Sequence, residues 1–251
     1  MVFARISLLV SFAVVGTPLA ADPSQWRAEE WGRTDFSRTS VAWEDIKSGG
    51  PPKDGIPPID APRFKPATEI SDIADLEPVI GLDLAGDARA YPLRVLIWHE
   101  IANDTVGGIP VAVTYCPLCN AAIVFDRRVE GATLDFGTTG KLRNSDLIMY
   151  DRQSESWWQQ FTGEAIVGAM LGKRLELIPA RLESFGEFKA RSPAGKVLVP
   201  NDPSLRPYGS NPYVGYDSAK APFLYDGEMP NGIEPMARVV VVRAARSQPL
   251  I

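Results

Sequence analysis

Short apolar runs separated by glycine-containing turns constrain the fold of this chain most. Dipeptides of the kind that close β-hairpins lie between such runs at Ala85-Gly86, Gly107-Gly108 and Glu130-Gly131. Few windows keep a helical period of about 3.6 residues over three turns, and the best helix candidate is 182–191. The 22 prolines also favour turns and sheet edges over helices. The sequence therefore predicts a fold that is mainly β with minor helix, in a single antiparallel β-rich domain.

Alternation within the runs supports the strand assignment. In 109–115, Val111 and Val113 alternate with smaller or polar residues, which is typical of a half-buried strand. The two-glycine turn before this run predicts that it pairs with 100–105 as a hairpin.

Composition and charge narrow the choice of partners. The chain has 251 residues and a formal net charge of -5, without a block of basic residues. A mildly acidic chain without such a block argues against nucleic acid as a partner and against electrostatic binding to anionic lipid. We therefore expect the partner to be a small ligand, a metal or a protein, and not a nucleic acid.

The N-terminal segment 1–21 has the features of a secretory signal peptide. Arg5 is its only charge, 6–15 is an apolar run too short to span a bilayer, and Ala20 and Ala21 offer small residues for cleavage. An uncleaved anchor or a buried N-terminal helix is the alternative. We expect a periplasmic or secreted protein with no transmembrane segment in the mature chain.

The rest of the chain divides by composition. Segment 22–48 is polar but carries Trp26, Trp31, Phe36 and Trp43, more aromatic residues than a free linker has. We expect it to be an arm packed on the domain. The domain itself is expected to be 49–243, followed by a flexible tail at 244–251.

One Cys-x-x-Cys pair and one histidine are the main candidates for chemistry. Cys116 and Cys119 are the only cysteines, and His99 is the only histidine. Two thiolates at this spacing can hold one metal ion, with His99 as a third ligand and Met149 as a soft fourth. Such soft ligands select copper(I) or zinc. A zinc ribbon would need a second Cys-x-x-Cys, which the chain lacks.

Other interpretations of the cysteine pair stay open. A c-type haem site is excluded because Asn120 stands where the motif needs histidine. A structural disulfide across so short a loop would contribute roughly 2 kcal/mol. Cys-Pro-x-Cys resembles the active-site spacing of glutaredoxin-like proteins, but a strand rather than a helix is predicted after it. A nucleophile pair of Cys116 and His99 is a further alternative.

Asp146 and Asp151 flank the strand that contains Met149. They fit either turn-capping carboxylates or one wall of a polar pocket. The glycine-rich stretch 136–140 lacks the Lys-Ser/Thr that a phosphate loop requires, so it is not a nucleotide motif.

Several motifs together resemble a known family. They are Gly49-Gly50-Pro51-Pro52-Lys53-Asp54-Gly55-Ile56-Pro57, His99-Glu100-Ile101-Ala102-Asn103-Asp104, Tyr115-Cys116-Pro117-Leu118-Cys119-Asn120, Phe136-Gly137-Thr138-Thr139-Gly140, Ser145-Asp146-Leu147-Ile148-Met149-Tyr150-Asp151-Arg152, Trp158-Gln159-Gln160 and Asn211-Pro212-Tyr213-Val214-Gly215-Tyr216-Asp217. The chain resembles, over roughly 35–242, the bacterial domain-of-unknown-function family 3179. The resemblance implies a single domain and an extracytoplasmic location.

These observations predict an exported protein that binds a thiophilic metal, copper or zinc, through Cys116 and Cys119. One alternative is a thiol-disulfide oxidoreductase. The other is a ligand-binding or interaction domain with a structural disulfide.

Overall fold

A computed structural model describes residues 23–240. The predicted signal peptide 1–21 and the predicted tail 244–251 lie outside these residues. Strands make up 36% of the structure and helices 11%, which confirms the predicted class.

The strands are short and follow one another closely along the chain. They are Ile46–Ser48 (β1), Arg63–Pro66 (β2), Pro78–Leu84 (β3), Asp87–Pro92 (β4), Ile101–Val106 (β5), Ile109–Cys116 (β6), Ala121–Asp126 (β7), Arg128–Val129 (β8), Ala132–Thr133 (β9), Phe136–Arg143 (β10), Asp146–Asp151 (β11), Trp157–Gln159 (β12), Glu164–Val167 (β13), Glu176–Ile178 (β14), Arg181–Ser184 (β15) and Lys196–Val199 (β16). The α-helices of the described residues are Ser24–Arg27 (α1), Leu93–Leu96 (α2) and Phe185–Arg191 (α3), and 3-10 turns lie at Trp43–Asp45, Ala67–Glu69 and Tyr216–Ser218.

The strands form three larger sheets and one small hairpin, β8–β9. The first sheet has the order β1-β10-β11-β12-β13, the second β14-β7-β6-β5, and the third β15-β3-β4-β16-β2. Neighbouring strands run antiparallel, except that β16 is parallel to β4.

The three predicted hairpin turns are confirmed. They connect β3 to β4, β5 to β6 and β8 to β9. In each turn both central residues have positive φ, for example 52° at Ala85 and 82° at Gly86. Two positive φ angles define the turn whose twist matches that of the flanking strands, which is why glycine recurs there.

The second sheet lies between the other two. On β6, Val111 and Val113 belong to one buried cluster with Leu82 of the third sheet. Ala112 and Cys116 point the other way, into a cluster with residues of the first sheet. The alternation was therefore predicted correctly, but the prediction that the strand is half-buried is wrong, because sheets cover both of its faces.

The outer face of the first sheet is covered by the N-terminal segment. Trp26, Trp31 and Phe36 surround Trp157 of β12 with ring centroids 5.1–5.5 Å away, in edge-to-face contacts. Edge-to-face pairs of buried aromatic rings each contribute about 0.5–1.5 kcal/mol beyond area burial. Trp158 points to the opposite face, into the cluster shared with the second sheet.

The helix predicted at 182–191 is only partly present. Its first residues belong to β15, which pairs with β3 as the edge of the third sheet. The helix begins after Ser184, whose side chain accepts from the Glu187 N–H in a capping box. Phe185 and Phe188 then pack on the outer face of the third sheet.

Candidate metal centre

Two hairpin tips from different sheets meet at the cysteines. Cys116 is the last residue of β6 and pairs with Ala121, so Cys119 lies within the turn from β6 to β7. Asp146 begins β11, directly after a turn in which Asn144 and Ser145 both have positive φ. Because the first and second sheets pack face to face, the two turns come together.

The side chains at these tips form one compact group. Cys116 Sγ, Cys119 Sγ and a carboxylate oxygen of Asp146 all lie within 4.8 Å of one another. The Cys119 thiol donates to Asp146 Oδ1 at 3.2 Å, and the Cys116 thiol donates to the Ser145 carbonyl at 3.8 Å. Both cysteines are free thiols. Thiolate sulfur and carboxylate oxygen are established zinc ligands, so this group could hold a metal ion.

Two members of the group are buried and Cys119 is half-buried, and burial disfavours the charged forms of these side chains. Cys116 is 1% exposed and Asp146 is 5% exposed. Burial raises the pKa of Asp146, although hydrogen bonds from the Gln159 amide and the Phe161 N–H act to lower it. The neighbouring Cys116 thiol and then burial raise the pKa of the Cys119 thiol above its usual range. A bound metal cation would favour the charged forms and so lower the pKa values of both Asp146 and Cys119.

Glu100 brings a further acidic group to the same end of the second sheet. The Glu100 carbonyl accepts a hydrogen bond from the Tyr115 N–H at 2.8 Å, and this bond places Glu100 beside Cys116. The backbone of Glu100 has a positive φ of 59°. Burial and the charge of Asp146 raise the pKa of Glu100 to about 8. Within residues 23–240 its carboxyl group has no hydrogen bond or ion pair.

His99 lies outside the group of Cys116, Cys119 and Asp146. Its Nδ1 is 2.7 Å from the Pro57 carbonyl and its Nε2 is 2.7 Å from the Tyr208 hydroxyl. Since a carbonyl only accepts, Nδ1 donates and Nε2 accepts from Tyr208 in the neutral ring. Both nitrogens are therefore already engaged. That His99 is a metal ligand stays a prediction, to which these contacts lend no support.

Met149 lies in the core between the first and second sheets. It is fully buried, pairs with Trp158 across the strands, and shares a cluster with Cys116. Its role as a fourth ligand also stays a prediction.

The residue that sequence reasoning placed least well is Asp146. The sequence predicts a turn cap or a pocket wall at this position, and not a partner of Cys119. The available signal was a hairpin turn at Asn144 and Ser145 followed directly by an acidic residue. No sequence pattern shows that the turn before Asp146 faces the cysteine turn, because this contact depends on how two sheets pack against each other.

The fold and site define a β-rich protein in which a Cys-x-x-Cys hairpin and a buried aspartate from a second hairpin form a potential metal centre. The family model described as a protein of unknown function, DUF3179, matches residues 53–250, and the chain belongs to this family. The predicted resemblance is thus confirmed. No curated protein and no solved structure matches the chain. Within residues 23–240, no helix has the length and apolar character needed to cross a membrane.

Proposed function

We propose that this protein binds a thiophilic metal ion through Cys116, Cys119 and Asp146. The observation that carries the proposal is that these three ligand atoms, from two hairpin tips, lie within 4.8 Å of one another. Bonds of about 2.0–2.3 Å to one central ion put ligand atoms roughly 3.3–3.8 Å apart in a tetrahedron, so small side-chain shifts would suffice.

The ligand set favours zinc over copper. Two thiolates suit either ion, but a carboxylate oxygen is a hard ligand that zinc accepts readily and copper(I) does not. Copper(I) would instead need Met149 as a soft ligand. Three protein ligands leave one tetrahedral position of zinc for an external ligand.

Thiol-disulfide exchange is less well supported by the same geometry. An exchange site needs an exposed thiol with a lowered pKa. Cys116 is buried, and the pKa of Cys119 is raised rather than lowered. A strand, Ala121–Asp126, follows the motif where an exchange enzyme has a helix N-terminus to stabilise the thiolate.

The test is a zinc titration of the reduced protein in competition with a chromophoric chelator of micromolar affinity. Wild type should compete, while Cys116→Ser and Cys119→Ser should each lose competition. His99→Gln serves as the matched comparison and should bind zinc as wild type does. Failure of the reduced wild type to compete would overturn the proposal.

The remaining candidates give different results in the same samples. An exchange enzyme would accumulate a mixed disulfide with glutathione in the Cys119→Ser protein. A structural disulfide would leave the pair oxidised after aerobic purification and unreactive toward thiol reagents.

A further inference from the structure

A cavity of about 340 Å³ lies next to the cysteine turn. Its wall is mostly apolar and comes from distant parts of the chain, including Leu118 of the cysteine turn and Leu147 of β11. Small-molecule sites in proteins have this character: a concave, apolar wall with a small number of polar groups that orient the ligand.

Glu100 is the acidic group in this wall. It is 7% exposed, and its carboxyl group has no hydrogen-bond or ion-pair partner within residues 23–240. A carboxyl group with so little access to water and no protein partner loses much of its hydration, at a cost in free energy. A ligand that donates to this group would offset that cost.

Aromatic side chains form the side of the cavity contributed by the C-terminal segment. They are Tyr213, Tyr216 and Phe223. The Tyr216 hydroxyl lies 3.5 Å from Ser145 Oγ and accepts from the Phe223 N–H at 2.9 Å, which fixes the segment against the β10–β11 turn. Phe223 is 49% exposed and so lies where the cavity meets solvent.

The charges around the cavity favour a cationic ligand. Lys141 also contributes to the wall, but its ammonium group pairs with Glu29 and lies over the ring of Trp26. It is therefore already neutralised and unsuited to hold an anion. Aromatic ring faces and the ionised form of Glu100 both attract an ammonium group, and that positive charge would in turn lower the raised pKa of the Glu100 carboxyl group.

We infer that this cavity binds a small apolar molecule that carries one protonated amine. The ammonium group donates to Glu100, and the apolar body packs against Tyr213, Tyr216 and Phe223. The inference does not rest on the proposed metal centre, because the contacts named here need no metal.

The first test compares three probes of similar size and different charge by calorimetric titration of the mature protein. Phenethylamine should bind at least about tenfold more tightly than phenethyl alcohol, because a hydrogen bond between charged groups is stronger than one between neutral groups. Hydrocinnamate, which carries a carboxylate, should bind most weakly. Hydrocinnamate binding as tightly as the amine, or no amine binding at millimolar concentration, would overturn the inference.

Variants locate the binding site. Glu100→Gln should remove the preference for amine over alcohol, whereas Phe223→Ala should weaken both probes alike. Glu130→Gln, at an exposed turn residue paired with Lys173, is the matched control and should leave the preference unchanged. An amine preference that survives in Glu100→Gln would overturn the inference, and if that variant does not fold, the probe comparison in wild type still decides. Amine binding that persists after chelator treatment supports the inference independently of the metal centre, and amine binding lost after that treatment would overturn it.

Discussion

The Cys119 thiol donates a 3.2 Å hydrogen bond to Asp146 Oδ1 and so joins hairpin tips that belong to two different sheets. The other carboxylate oxygen, Oδ2, accepts from the Phe161 N–H at 2.9 Å and from the Gln159 amide. These two donors fix the carboxylate, so that Oδ1 stays directed at the thiol. Replacement of the thiol proton by a metal ion would therefore need little movement of Asp146.

Asp146→Asn should lower zinc affinity by at least about tenfold. The substitution keeps the volume of the side chain but removes the negative charge that a metal ion requires. The measurement is the chelator competition described above. Asp135→Asn, which changes an exposed aspartate paired with Arg127, should leave the affinity unchanged. Equal affinity in wild type and Asp146→Asn would show that the carboxylate is not a ligand.

The hairpins could be predicted because their determinants are local. A glycine-containing turn and the alternation of a few residues on each side predict β5 pairing with β6, and the structure confirms it. The boundary between β15 and α3 could not be predicted from local sequence. The run 182–191 contains enough apolar residues for a helix, but pairing with β3 draws its first residues into a sheet.

The candidate site was predictable only in part, for a related reason. The cysteine pair is a local motif and was identified. Its partner Asp146 lies 27 residues from Cys119 along the chain and reaches it through packing between sheets. Glu100 could not be predicted as a site residue, because nothing near it in the sequence shows that its carboxyl group lines a cavity without a protein partner among the described residues.

His99 should make folding stability depend on pH in the acidic range. Burial lowers the pKa of His99 below its ordinary value of 6.5, so the folded chain binds the proton less tightly than the unfolded chain. Stability should therefore be full above pH 6.5 and fall as the pH drops through the lowered pKa. Urea unfolding of wild type and His99→Gln at several pH values measures this contribution. The variant should show a smaller loss toward acid, and identical pH slopes would contradict the assignment.

Glu100 should make folding stability decrease as the pH rises, which is the opposite of the effect of His99. Burial and Asp146 raise its pKa from 4.5 to about 8 in the folded chain. Its contribution to stability is thus fully present below pH 4.5 and is lost as the pH rises through about 8, by a few kcal/mol at most, since one pKa unit corresponds to about 1.4 kcal/mol. Glu100→Gln should remove that loss. Unfolding of the metal-free proteins between pH 5 and 8 tests it, and a variant as sensitive to alkali as wild type would refute the assignment.

Gly140 should tolerate substitution far less than another glycine with a similar backbone. Gly140 has φ 70°, and an added Cβ would lie 1.9 Å from the Pro51 carbonyl oxygen, whereas Gly131 has φ 83° and nothing within 4 Å. Both alanine variants incur the left-handed backbone penalty of about 1–2 kcal/mol. Only Gly140→Ala must also move the backbone near Pro51, so it should cost at least about 3 kcal/mol in urea unfolding. An equal loss of unfolding free energy in the two variants would mean that the segment around Pro51 can move away from the first sheet freely. The part of the cavity wall that this segment contributes would then not be fixed.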